Sequence, residues 1–310
     1  MKKFLSTIFF TIFFILLAPT LYAVGTPELP QGVSVEPAFQ EIEIKANDTT
    51  VEGNIIITNA ADFDQTLTVT ALDINQTDAN GNINFIDKPD SSNPFRIADF
   101  IAFKNTDRTV PAHTSKEIPF VINNTQELSP GGHYGAIISR FESSAKSGTQ
   151  QVLPALSSFV LIRKIGGERY QLSLRSVHGV PAISLQIPQK IELLFENNGN
   201  IHTTPYGTLK IIDIFSKLRY KGSINEGSLI VLPQTQRQIE NTVQSLGLSW
   251  PLMIYTLQIQ GMSRPGDVPF FTEVSFLYIS PFMCLGLLIG LGLLGFYFYK
   301  RHTKQHEKEE

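Results

Sequence analysis

The 310-residue chain carries 25 Lys+Arg against 28 Asp+Glu, a formal net charge of -3, with 17% charged and 42% hydrophobic residues. A balance so close to neutral, with no basic cluster between the two ends, lacks the electrostatic footprint of a nucleic-acid binder. The single cysteine, Cys284, excludes an internal disulfide, so residues 24–279 must hold together by apolar burial, over a length that suffices for two domains.

Taken in chain order, Lys2 and Lys3 precede an uncharged Phe- and Ile-rich run from Phe4 to Leu17, and Leu21-Tyr22-Ala23 closes it. This is the layout of a secretory signal peptide over residues 1–23, cut after Ala23. Between here and residue 279 short runs of β-branched and aromatic residues succeed one another: "QEIEIKA", "GNIIITN", "QTLTVTALDI", "KEIPFVI", "GAIISRF" and "SSFVLIRKI", then "YQLSLRSV", "KIELLFEN", "GTLKIID", "MIYTLQIQ" and "FFTEVSFLYI". Gly, Pro, Asn and Asp fall between them, so the region reads as all-β. Two stretches carry a weak helical signal, "NPFRIADFIAF" and "IENTVQSLGLSW".

The composition shifts at Gly166-Gly167, which separates a first sandwich over 24–166 from a second over 167–279. Each half repeats the same order: a strand ending in Asn (Asn59, Asn197), a Pro-led strand ("VPAHTSKEI", "LPQTQRQI"), then a proline four residues ahead of a tyrosine (Pro130 and Tyr134, Pro251 and Tyr255). Internal duplication explains the recurrence. In immunoglobulin-like sandwiches a tyrosine at the start of strand F folds inward and bonds its hydroxyl to upstream backbone. Tyr134 and Tyr255 are the candidates for that corner, and strand alternation then points His133 outward.

The C-terminal segment is apolar. Ser280 to Tyr299 carries no charge, and the 19 residues from Pro281 extend about 28 Å as a helix, enough for a hydrocarbon core of about 30 Å. Lys300, Arg301, Lys304 and Lys308 follow, which keeps the basic tail (300–310) in the cytoplasm and places the bulk of the chain outside. Gly286 and Gly290 have the spacing of a close helix–helix seam, a route to a dimer in the membrane.

For chemistry the yield is small. Asp78, Asn80 and Asp87 fall on offsets like those of a calcium loop, but Gln76 stands at the first ligand position and Asn80-Gly81 is a strong hairpin signal, so the turn is favoured over the metal. Ser143-x-x-Lys146 lies in a polar loop rather than opening a buried helix, and His113, His133, His178 and His202 show no zinc spacing. No catalytic set and no cofactor are expected. "ENNGNIHTTP", with Asn198, Asn200 and His202, reads as a turn at the end of a sandwich, the place where such folds carry binding loops; His133 is a further binding candidate.

Signal peptide, "GVSVEPAFQEIEIKANDTTVEGNIIITN", an excursion led by Asp73 and ending in "FRIADFIAF", "VPAHTSKEIPFVI", "LSPGGHYGAII", a second sandwich, one membrane helix and a basic tail together resemble the WxL-interacting protein family of Gram-positive cell surfaces. The resemblance implies a first domain that binds peptidoglycan and a second that faces host or partner proteins. The whole reads as an all-β, non-enzymatic, single-pass cell-membrane protein: two tandem immunoglobulin-like β-sandwiches plus a C-terminal transmembrane helix (280–299). It would bind peptidoglycan or a cell-surface protein; the alternative is a chaperone-like assembly protein that pairs with partner strands by β-augmentation.

Overall fold

A computed structural model describes residues 32–88, 90–104, 108–141 and 155–306. The expected signal peptide, the polar loop Ser143 to Gln150 and the last four residues of the basic tail lie outside the described residues.

Among the described residues ten strands precede residue 165: β1 (Val33–Glu36), β2 (Phe39–Ile44), β3 (Thr50–Asn59), β4 (Gln65–Gln76), β5 (Ile83–Ile86), β6 (Ile101–Phe103), β7 (Thr109–Val110), β8 (Thr114–Asn123), β9 (Gly131–Phe141) and β10 (Ala155–Lys164). They form a sheet in the order β1-β3-β8-β6 and a facing sheet β2-β10-β9-β4-β5, with β7 beside β4. The chain changes sheets between β1, antiparallel to β3, and β2, parallel to β10. Alternate residues of each sheet point inward, because side chains alternate along a strand, and Ile55, Ile57, Ile118, Phe120, Ile137 and Ile162 fill the core with no measurable exposure.

Nine more strands follow: β11 (Leu172–His178), β12 (Ile183–Ser184), β13 (Lys190–Asn197), β14 (Thr204–Asp213), β15 (Leu218–Ile224), β16 (Thr235–Thr242), β17 (Gln244–Ser245), β18 (Leu252–Arg264) and β19 (Pro269–Ile279). Their orders are β11-β13-β16 and β12-β19-β18-β14-β15-β17, with β12 parallel to β19 as β2 is to β10. Leu193, Phe195, Leu209, Ile211, Tyr255, Leu257 and Phe276 form the second core. The fold is therefore all-β, two immunoglobulin-like sandwiches in tandem.

The two asparagines that end β3 and β13 show how far the halves repeat. Asn59 accepts the Ala61 amide on Oδ1 at 3.0 Å and donates from Nδ2 to the carbonyls of Phe63 at 2.9 Å and Val110 at 3.0 Å. Asn197 accepts the Gly199 amide at 2.9 Å and donates to Ile201 at 2.7 Å and Val231 at 3.0 Å. Each side chain ties a tight turn to the segment, Val110-Pro111 or Val231-Leu232-Pro233, that leads the strand paired with its own, β8 or β16. Both are fully buried, where an amide must find such partners or lose stability.

Neither weak helical signal becomes an α-helix. "NPFRIADFIAF" makes a 3-10 turn at Ala98–Phe100 and then β6, because the Asp73 carboxylate accepts the Ile97 and Ala98 amides at 2.6 and 2.8 Å and draws that backbone onto β4. "IENTVQSLGLSW" completes β16, forms β17 and ends as a loop. One helix, α1 (Pro281–His306), follows β19 after a single residue, Ser280, and continues past Tyr299, where the apolar run stops. Its Pro281–Phe298 portion has a mean hydropathy of 2.0 and none of it is buried against the sandwiches, so it is long and apolar enough to cross a membrane.

Candidate functional site at the junction of the two sandwiches

The residues singled out in "LSPGGHYGAII" and "ENNGNIH" come together, in an arrangement the sequence reading did not anticipate. β9 is buried along almost its whole length. Ile137 faces the first core; Tyr134, Ala136 and Ile138 lie on the opposite face of the sheet and join Leu72, Ile74 and Leu161 in a cluster that takes in Leu232 and Ile230 of the second half. At β9 the sheet is thus covered on both faces, inside by its own sandwich and outside by the next one.

This reverses the expected roles of His133 and Tyr134. His133 does not point outward. It is buried, with Nδ1 2.9 Å from the Arg96 carbonyl and Nε2 2.7 Å from the Ser129 carbonyl four residues upstream. It thereby occupies the inward position and fastens the turn ahead of β9. Burial pushes its imidazole below the ordinary value, opposed by the two carbonyl acceptors. Tyr134, one residue on, is not a corner that bonds upstream backbone, because a shift of one residue exchanges the faces of a strand. Its hydroxyl reaches the second sandwich. In that sandwich Tyr255 does face inward, and its hydroxyl accepts the Trp250 amide, five residues upstream, at 2.9 Å.

The expected binding loop is likewise not free in solvent: Asn198 and Asn200 are partly covered, and His202 is buried. The His202 amide donates to Tyr134 Oη at 2.7 Å, and that hydroxyl lies 3.2 Å from His202 Nδ1. Nε2 faces the Glu41 carboxylate at 3.4 Å, which can only accept, so the ring proton sits on Nε2 and Nδ1 is left to accept the Tyr134 hydroxyl proton. The hydrogen bond from His202 holds Glu41 below the usual carboxylate range, against the effect of burial. Burial pushes the Tyr134 phenol up. Asn200 completes the seam: its carbonyl accepts the Gly132 amide at 2.8 Å, its Oδ1 accepts the Arg169 amide at 2.6 Å, and its Nδ2 donates to the Gly167 carbonyl at 2.9 Å. Asn198 is turned away and donates to Glu196 at 2.9 Å.

The glycines now have their reason. A Cβ on Gly132 would lie 1.9 Å from Tyr134 Oη, and one on Gly131, at φ +124°, would lie 2.9 Å from Asn200. Gly131 stays bare because Asn200 of the second sandwich arrives there, and Gly132 because the Tyr134 hydroxyl that crosses to that sandwich lies against it.

The β4–β5 hairpin makes a second point of attachment. Gln76 Nε2 donates to the Gln236 carbonyl at 2.6 Å, and the Gln238 amide donates to the Ala79 carbonyl at 2.7 Å. Gly81, at φ +83°, lies so close to Arg237 that a Cβ would sit 1.8 Å from Nη1. The calcium-loop candidates are engaged in this hairpin. Asp78 accepts the Asn80 amide at 2.9 Å and Asn82 Nδ2 at 2.6 Å, while Asp87 lies 3.8 Å from Arg140. Among the described residues no group of three His, Cys, Asp or Glu is placed to hold a metal ion. Glu41 and Arg237 escaped the sequence reading, since nothing local marks them, and Gln76 entered it only as a residue at the first calcium-loop position. The nearly unbroken burial of β9 did have a sequence sign, the run "YGAII", which suits a strand covered on both faces.

Beyond the junction the outer face of this sheet remains apolar and accessible. Phe39 and Phe159 are register partners, Phe85 stands opposite Ile74 on the same face, and the Phe85 and Phe159 rings stack at 6.2 Å. Phe39 is 48% and Phe85 44% exposed. The face runs into a cleft of about 260 Å³ between the sandwiches, lined by Ile86, Phe95, Tyr134, Leu232 and Asp90 among others.

No protein-family model and no curated protein matches the chain. Among solved structures it is similar to a chain of a chaperone–tip adhesin complex of CFA/I fimbriae biogenesis (8% identity, 80% of this chain and 99% of that one, TM-score 0.39). It is also similar to the Escherichia coli chaperone DraB (9%, 79% and 96%, TM-score 0.37). A third is the CsuC–CsuE chaperone–tip adhesion subunit complex of Acinetobacter baumannii (12%, 67% and 89%, TM-score 0.35).

Proposed function

We propose that the chain is an exported, membrane-anchored, non-catalytic protein that binds a protein partner on the outer face of its first six-stranded sheet, in the manner of an assembly or adaptor protein. The observation that carries this is the Phe39–Phe159–Phe85 surface: an apolar sheet face whose one half is buried by the second sandwich and whose other half, beside the interdomain cleft, stays open. Contiguous exposed apolar surface of this kind marks interaction sites. Among the described residues β2 is the terminal strand of that sheet, so its backbone edge lies next to Phe39 and would give a partner strand a template. The non-catalytic reading is supported by the engagement of the buried histidines, His133 with carbonyls and His202 with Tyr134 and Glu41. Membrane anchoring rests on α1 and the apolar N-terminal run.

A photo-crosslinking residue placed at Phe85 of the full chain in membranes tests the assignment, with Glu117 on the outer face of the opposite sheet as control. Adducts to a discrete surface protein from position 85 and none from 117 are expected. Equal labelling from both positions would sink the assignment. Retention on purified cell wall that survives Phe39→Ser and Phe85→Ser, with no adducts, would favour the peptidoglycan binding implied by the likeness to WxL-interacting proteins.

A further inference from the structure

The end of the second sandwich opposite the junction carries a second apolar surface, built from three loops. Antiparallel pairing sets Leu252 beside Ile279 and Asp213 beside Tyr255, so the loop after β14, the loop between β17 and β18, and the start of α1 all lie at one end; parallel pairing of Ser184 with Tyr278 brings Leu185 to the same end. Leu185, Ile214, Phe215, Leu246, Leu248 and Trp250 are all exposed there, Leu248 at 90% and Phe215 at 72%.

These side chains are displayed by loops whose backbones are tied down. The Asp213 carboxylate accepts the Phe215 and Lys217 amides, each at 3.0 Å, and holds Arg219 at 2.9 Å. Arg219 Nη1 donates to the Leu248 carbonyl at 2.9 Å, the Leu246 amide donates to the Arg219 carbonyl at 2.8 Å, and Tyr255 accepts from Trp250. The Ser280 amide, one residue before α1, donates to the Pro251 carbonyl at 2.7 Å. Trp250 is therefore fixed within a few residues of the first helical turn, where Phe282 is 86% exposed. The polar layer of a bilayer is only about 5–8 Å deep on each side. If α1 enters hydrocarbon, loops joined to its first residue stand in that layer. Their chemistry suits it: Ile214 to Lys217 and Gln244 to Leu252 contain no acidic residue, the exposed Lys217 can meet lipid phosphates, and tryptophan favours the interface.

We infer that these three loops insert into the interfacial layer of the bilayer that α1 enters, so that the second sandwich stands on the membrane as a fixed foot. The inference rests on the reading of α1 as a membrane span. Trp250 is the single tryptophan, so its fluorescence in the full chain, reconstituted into phosphatidylcholine vesicles, reports on the loop directly. Trp250 should lose most of its emission when the lipid carries bromine atoms high on the acyl chains, and should resist aqueous iodide; Phe215→Glu with Leu248→Glu should reverse both responses while circular dichroism stays unchanged. Quenching by iodide and not by brominated lipid, in protein that floats with the vesicles, would overturn the insertion and leave the membrane span standing. Shielding from both quenchers would assign the surface to a second copy of the chain and overturn the inference. Protein that fails to float with vesicles would remove the membrane span, and the insertion with it.

Discussion

Replacing Tyr134 by Phe removes one oxygen and leaves the ring in place, which isolates the bond between the sandwiches. That oxygen accepts the His202 amide at 2.7 Å and bonds Nδ1 at 3.2 Å, in a site where Tyr134 is 2% and His202 3% exposed. Water cannot readily take its place, so the amide is left as a buried orphan donor, at a cost of about 1–3 kcal/mol, and a second bond of about 1 kcal/mol disappears. The sum, about 2–4 kcal/mol, corresponds to a fall in melting temperature of about 4–16 °C for a unit of this size. Differential scanning calorimetry of the full chain in detergent measures it, and hydrogen exchange localises it: the His202 and Gly132 amides should exchange much faster, and the Ile57 and Ile118 amides in the first core should not. Tyr255→Phe costs less, about 1 kcal/mol, because the Trp250 amide it releases lies at an exposed loop. Unchanged melting in Tyr134→Phe, or faster exchange confined to the first core, would refute the assignment of Tyr134 to the junction.

Gly132→Ala places a methyl group 1.9 Å from Tyr134 Oη. It should mimic the loss of that hydroxyl in the same exchange experiment, and melting at the wild-type temperature would contradict the close approach. Asn59→Ala and Asn197→Ala each break three or more hydrogen bonds of a buried side chain and should each cost about 2–4 kcal/mol by denaturant titration, with similar values for the two because each side chain bonds the matching turn and Val carbonyl. Hydrogen bonds from Gln236, Asn198 and Arg175 hold the Glu196 carboxyl at about 2, below its unfolded value of about 4.3. Its contribution to stability is therefore complete above pH about 4.3 and disappears as pH falls through about 2. Glu196→Gln should flatten that acid limb of the stability profile, and an unaltered limb would rule the residue out as its source.

Much of the architecture could be read from residues whose meaning is local. Period-two runs such as "GNIIITN" and "KIELLFEN" announce half-buried strands, and Asn80-Gly81 marks the β4–β5 hairpin. The recurring order around Asn59 and Asn197 points to two copies of one pattern, and the paired amide bonding shows what those asparagines do in each. The junction could not be read in the same way. Gln76 and Gln236 are 160 residues apart, and the turn "ENNGNIH" looks alike whether it meets water or a neighbouring sandwich. Where one strand is buried on both faces, alternation no longer tells inside from outside, which is why His133 and Tyr134 exchange their expected places.

That exchange also shows how two copies of a sandwich come to differ in use. In the second copy the inward position near the start of strand F carries Tyr255, and its hydroxyl fastens the loop ahead of β18, whose Pro251 carbonyl accepts the Ser280 amide just before α1. In the first copy the corresponding inward task falls to His133, which fastens its own turn through Ser129 and Arg96, and this leaves the adjacent Tyr134 available to the outer face. With the inner latch supplied by a smaller ring, the tyrosine serves as a bolt between sandwiches, and Gly131 and Gly132 give the neighbour room to reach it. The outer sheet face is then divided: the half under Leu232 fixes the relative placement of the sandwiches, and the half that carries Phe39, Phe85 and Phe159 is held in a defined position relative to the cleft and α1. A partner bound there would meet a pre-organised surface, and would not have to supply the free energy of ordering two independent domains.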